Sequence, residues 1–495
     1  MAVVTITESP LSIEQLLAVV RGARVELDDG ARGRIAAGRA VVEKALDAGD
    51  AVYGLTTQVG HGKDTRLTEE EIRGEQLFLV MSHSGGIGAR LPTDVVRAAL
   101  AVRLNGIARG GSGAGVAVAE VLAAMLNARV HPVAPEISSV GAGDLGPMAS
   151  MAQVAVGAGR AEHRGQVLPG GEALRRAGIT PLVLGGKDGL ALISANAVSV
   201  GHAALVVDRA ERAAQAADLA AALSMEATGA NLSVLHPSVA RAKGIAGQTA
   251  TADHLRGLLA GSALTRPDAA RSVQDALSFR VVPQVHGALR EYVTAARHAV
   301  TAELNAAADN PLVSVDEGTL LSNGNFHPMV LAIGFDALRI ALAHVGQLSE
   351  RRMAHLWDAF FRTAQGPPPS AVYGLQLRYT AAALLPELLQ AAAPATLDTP
   401  PLDLGVEDHA TGAPLAVRRT DQALGMLEDL LAIEALLAHD VVAQSAFPVT
   451  GAGTADFLNT VKEAVAAAEP YADAVHAALR HRFPAGPSPS AAGHV

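Results

Sequence analysis

The chain has 495 residues, 49% of them apolar, enough to bury a large core. Its formal net charge of −10, without any Lys/Arg cluster, argues against nucleic acid or an anionic membrane as a partner. The absence of cysteine excludes disulfides, thiolate metal sites and a Cys nucleophile, and gives no reason to look beyond a cytoplasmic location.

In chain order, MAVVTITESPLSIEQ has no basic segment running into an apolar one, so no secretory signal is expected. Ser12–Gln15 and Thr68–Glu71 both fit capping boxes ahead of amphipathic helices. A helix over Arg97–Arg109 should stop at Gly110-Gly111. Gln166–Pro169 and Thr319–Leu321 read as short strands. Gly189–Val207 is close to a membrane span in length and free of formal charge. It carries Ser194, Asn196, Ser199 and His202 between charged flanks, which favours a helix buried inside a large core. Long helices are expected over Val207–Glu226, Val285–Ala308, Met329–Trp357, Tyr379–Ala392 and Val417–Gln444. The Arg351-Arg352 pair reads as a solvated face.

The fold class is therefore mainly α: short helices and glycine-rich loops, then a bundle of long helices. Length alone suggests roughly three domains, yet no linker separates them. The expected division is an active-site region over 1–190, a long-helix bundle over 191–483 and a disordered tail over 484–495, the whole forming one globular unit. Helices apolar on more than one face need partners, so a homo-oligomer is expected.

Several short stretches carry chemistry. Tyr53-Gly-Leu-Thr-Thr-Gln-Val-Gly60 places a tyrosine on a glycine loop that is by itself an ordinary turn or the rim of a cleft. Ser82-His-Ser-Gly-Gly-Ile-Gly88 sets His83 beside glycines, as a titrating group or a helix end. Gly141-Ala-Gly-Asp144 lacks the Lys-Ser/Thr of a phosphate loop, and Gly110–Gly115 follows a helix rather than a strand. No His/Asp/Glu spacing matches a metal site; His409 beside Glu407-Asp408 comes nearest.

Taken in order, YGLTTQVG (53–60), SHSGGIG (82–88), RLNGIARGGSG (103–113), SSVGAGDLGP (138–147), KDGLAL (187–192), VQDALSFRVVPQVHG (273–287), ELNAAADNP (303–311), GNFHP (324–328), TAAALLPE (380–387) and VEDHA (406–410) resemble the aromatic amino acid ammonia-lyase superfamily. That group includes the histidine, phenylalanine and tyrosine lyases and the aminomutases, and the resemblance implies its fold and a tetramer. It also implies Tyr53 as general base, Arg280 as the carboxylate clamp, and His83, Gln274, Asn310, Phe326 and Glu407 as pocket residues. Without the resemblance, Arg280 could equally hold structure through an ion pair, and Glu407-Asp408 could cap a helix.

Such enzymes eliminate ammonia across Cα–Cβ with an electrophile made from an Ala-Ser-Gly triad, the methylidene-imidazolone MIO. The serine Cβ becomes the electrophilic carbon. Here Ala142 is followed directly by Gly143, and neither Ser138 nor Ser139 precedes a glycine. Further departures cluster at the ring's supports: Ser194 stands for the family's asparagine, Leu277 for its mobile-loop tyrosine, and Arg378 for a glutamine. The expectation is a lyase-type enzyme without MIO or other cofactor, acting by elimination, addition or isomerisation on a small carboxylate substrate already activated for the reaction. The alternatives are a catalytically silent oligomerising relative and a conventional MIO-dependent lyase.

Overall fold

The computed structural model describes residues 2–363, 371–445 and 448–483. Its long helices run Ala197–Thr228, Val282–Leu304, Met329–Thr363, Tyr373–Ala391 and Ala413–Gln444, close to the expected spans, and the protein is mainly α. Both capping boxes form: Ser12 and Thr68 accept the backbone N–H three residues on, and Gln15 and Glu71 reach back. The helix over Thr93–Ala108 ends before Gly110, whose φ is +88°. The two expected strands pair as hairpins, Arg160–His163 with Gln166–Pro169 and Leu312–Ser314 with Thr319–Leu321. The tail over 484–495 lies outside the described residues.

Three expectations need correction. The chain does not divide at residue 190. It forms two compact units, Met1–Val206 with Arg297–Ile333 and Ala395–Arg418, and Val207–Ala296 with Gly334–Pro394 and Arg419–Val495. The apolar stretch after Gly189 is buried, but it is two helices rather than one, Asp188–Ile193 and Ala197–Thr228. The break has a cause. Asp144 accepts from Ser199 N (2.7 Å) and Ser199 Oγ (3.0 Å), so a carboxylate caps the second helix where its N–H groups are free. Finally, Arg352 is not solvated. Its guanidinium is fully buried, donating to both oxygens of Glu434 (2.6 and 2.9 Å) and to Ser278 O (3.2 Å), while Arg351 stays exposed.

The first unit is fixed by buried ionic groups that the sequence pattern does not mark. Arg103 donates to both oxygens of Asp309 (3.2 and 2.6 Å), and Lys187 Nζ donates to Ser112 O (2.6 Å). These contacts fix the chain just before Asn310 and just before the Asp188–Ile193 helix. In the second unit, buried Asp218 accepts from His286, His254 and Arg290 at 2.7–2.8 Å.

Candidate active site

A cleft of about 550 Å³ opens in the first unit. Five stretches line it: the loop carrying Tyr53, Gln58, Gly60 and His61; the Glu69–Ser82 helix with Glu75, Phe78 and Leu79, followed by His83; the turn with Ala142 and Leu145; the Asp188–Ile193 helix with Leu190, Ile193 and Ser194; and the segments bearing Asn310, Phe326, Asp403 and Glu407.

The sequence folds this way for local reasons. Helical spacing puts Glu75, Leu79 and His83 on one stripe, with Phe78 beside it. Gln76, next to that stripe and fully buried, donates to Gly54 O (3.1 Å) and accepts from Leu190 N (3.0 Å). One carboxamide thus pins the helix to both the tyrosine loop and the helix after Lys187. On the far wall, residues Leu402 and Glu407 bridge backbone to backbone, and the turn between them holds Asp403 and Leu404 at φ +50° and +54°. Non-glycine residues there cost about 1–3 kcal/mol each and persist where the surroundings impose them. A Cβ at Gly60 would strike the Asp403 carboxylate at 2.0 Å, so the loop comes this close only with glycine there.

Three polar contacts set the chemistry. Gly60 N donates to Tyr53 Oη at 2.9 Å, a bond that favours the phenolate. Burial nevertheless pushes Tyr53 above the ordinary phenol value, helped by the charges of Glu407 and Asp403. His61 Nδ1 meets Asp403 Oδ1 at 2.6 Å. His83 Nδ1 lies 2.9 Å from Leu79 O, which only a donating Nδ1 satisfies. Burial raises both Glu75 and Glu407; a second carboxylate adds to it, Glu71 and Asp403 respectively, and His83 opposes it in both. Among the described residues, no Lys or Arg lines the cleft.

Of the residues singled out from sequence, Tyr53, His83, Ser194, Asn310, Phe326, Glu407 and Ala142 come together on this lining. Gln274, Leu277, Arg280 and Arg378 do not. They belong to the second unit, where Leu277–Arg280 form one short helical turn and Arg378 donates to Glu350 at 2.6 Å. Arg378 is therefore engaged in an ion pair. Sequence reasoning missed His61, Glu75, Phe78 and Asp403. Stepping back from His83 by four and eight residues along the helix would have found Leu79 and Glu75. His327 Nε2 and His409 Nδ1 stand 2.9 Å apart, but no group of three His, Asp or Glu suited to a metal occurs among the described residues.

MIO does not fit the turn at Gly141–Asp144. No hydroxymethyl group lies between Ala142 and Gly143. Gly143 N, which would have to attack the Ala142 carbonyl, donates instead to Phe326 O at 3.2 Å. The nearest hydroxyl, Ser139 Oγ, accepts from Gly141 N (3.0 Å) and lies 3.1 Å from Gly143 O and 3.0 Å from Asp144 Oδ1. At Gly141, φ is +85° and a Cβ would meet Thr411 Oγ1 at 2.4 Å, so a side chain is excluded there too.

The cleft brings a tyrosine on a glycine loop together with a histidine and carboxylates in a mainly helical chain. The family model described as "Aromatic amino acid lyase" matches residues 11–463, and the chain belongs to that family, which makes it a lyase. It is 40% identical over 447 residues to a histidine ammonia-lyase of Anaeromyxobacter sp. (strain K), covering 86% of this chain and 87% of that protein. It is 38% identical over 465 residues to the Gloeobacter violaceus histidine ammonia-lyase, covering 92% and 90%. Among solved structures, the ergothionase of Treponema denticola, an ergothioneine-degrading enzyme in complex with desmethyl-ergothioneine sulfonic acid, superposes with a TM-score of 0.91 at 28% identity over 97% of this chain and 99% of that one. The Trypanosoma cruzi histidine ammonia-lyase gives 0.87 at 30% identity over 98% and 93%.

Proposed function

We propose that this chain is a carbon–nitrogen lyase that works without MIO on an imidazole-bearing α-ammonium carboxylate whose nitrogen can leave unaided. The observation that carries the reading is the turn at Gly141–Asp144, which lacks the hydroxymethyl group the ring needs and uses Gly143 N to hold Phe326. The acid–base residues Tyr53, His83 and Glu407 remain gathered on the same cleft. Ergothioneine, degraded by the Treponema denticola neighbour, is a trimethylammonium betaine, and its nitrogen departs as a neutral tertiary amine without help from an electrophile.

In the step we infer, the Tyr53 phenolate takes the Cβ proton. The C–H electron pair becomes the Cα=Cβ bond, and the C–N pair leaves with the nitrogen. Trimethylamine and an α,β-unsaturated carboxylate result, and Tyr53 returns its proton to water. Glu407 accepts a hydrogen bond from the ring. Arg280 keeps only the role the family resemblance implies, carboxylate recognition, and does not line the cleft. The working form is a homo-oligomer: Val330, Ile333, Ile340 and Phe361 on the Met329–Thr363 helix are 46–73% exposed, and a copy of the chain would cover them.

Purified protein should release trimethylamine from ergothioneine or from histidine trimethylbetaine, and no ammonia from histidine. Ammonia from histidine would overturn the reading; no turnover on any of the three would favour a silent relative. A second reading, a conventional histidine ammonia-lyase, draws on the 40% identity to an enzyme of that name and on His83 and Glu407 in the cleft. The same assay separates the two.

A further inference from the structure

Glu75 has no assigned part in the reaction above. Its side chain lines the cleft, yet the residue is only 9% exposed. Among the described residues it forms no ion pair and accepts no hydrogen bond. Its carboxylate oxygens are not among the buried polar atoms, so they stay open to the cleft and to whatever enters it. Neighbouring Gln76 is clamped at both ends of its carboxamide, to Gly54 and Leu190. The helix therefore holds Glu75 toward the cleft.

The surroundings define what would satisfy it. The carboxylates Glu75 and Glu407 line the cleft, and among the described residues no Lys or Arg lining it answers them. Phe78 and Phe326 add aromatic walls. A flat ring carrying N–H groups, or the same ring protonated, supplies donors to the acids while lying against the phenyl faces.

We propose that Glu75 is a specificity-determining residue that accepts a hydrogen bond from a ring N–H of the substrate, selecting imidazole-type rings over phenyl rings. This rests on the cleft being the substrate site, as proposed above. The rival role, contact with the α-nitrogen, is separated by ligands that have lost that nitrogen: urocanate, with an imidazole ring, and cinnamate, with a phenyl ring.

Both ligands are titrated calorimetrically into the full-length wild-type chain and into Glu75→Gln and Glu75→Asp, with circular dichroism to check folding. Wild type should prefer urocanate. In Glu75→Gln the ratio of the two affinities should fall by about tenfold or more, the scale of a hydrogen bond to a charged group, with cinnamate binding little changed. Glu75→Asp, which keeps the charge, should recover part of the preference. An unchanged ratio in Glu75→Gln, with urocanate still bound by wild type, overturns the role of Glu75 alone. Binding of neither ligand to wild type overturns both this role and the cleft as substrate site.

Discussion

In the proposed mechanism, the protonation of Tyr53 sets the rate. Its phenol is pushed above its ordinary value of 10.0 by burial and by nearby carboxylates, against the pull of Gly60 N–H. Around neutral pH the phenolate is scarce, so kcat/KM for a betaine substrate should climb with pH from 7 to 9, and a flat profile over that range would exclude Tyr53 as the base. Tyr53→Phe keeps the ring but loses the proton acceptor, and kcat should drop by roughly 10²–10⁴ while the melting temperature holds. At Lys187 the effect is on stability instead. Burial lowers its pKa from 10.5 to about 8. Between those values the unfolded chain binds more protons than the folded one, so this residue makes stability rise with pH from about 8 to about 10.5. In Lys187→Met that rise should be smaller, as read from urea midpoints across the range. Tyr53, His83, Asn310, Phe326 and Glu407 were legible because each sits in a motif whose order along the chain is distinctive. Glu75 and Asp403 were not, because a single acid in a helix or turn gives no signal until its neighbours in space are known.

The elements that bear the site act as units, and Gln76 joins three of them. Gln76→Leu would leave Gly54 O and Leu190 N without their buried partner, at about 1–3 kcal/mol for each unsatisfied group. A lower urea midpoint together with a lower kcat is expected, since the tyrosine loop is released at the same time. A drop in midpoint with kcat intact would mean that the clamp serves only stability. At this scale the sequence predicted helices well, because apolar period and capping boxes are local signals. It failed at the break between Ile193 and Ala197, where no proline or glycine marks the stop. The break follows from Asp144, more than fifty residues earlier, reaching the next helix's free N–H groups. The same limit hid Arg352, whose partner Glu434 lies 82 residues on and turns an apparent surface pair into a buried ion pair.

Across the whole molecule, membership of the aromatic amino acid lyase family accounts for the helical fold, which the resemblance in motif order reached from sequence. The residues that the resemblance implies for the pocket come together on the cleft only in part. Arg280, Gln274 and Leu277 are close to the other motifs in family logic, yet they fold into the second unit, and nothing in residue order distinguishes the two cases. In the proposed reading, the turn at Gly141–Asp144, with no hydroxymethyl group between Ala142 and Gly143, and the cleft residues Tyr53, His83 and Glu407 carry the chemistry together. The most direct measurement is the intact mass of the purified protein. The account expects the mass of the unmodified sequence through this turn. A mass short by two waters, traced by peptide mapping to residues 141–144, would contradict it.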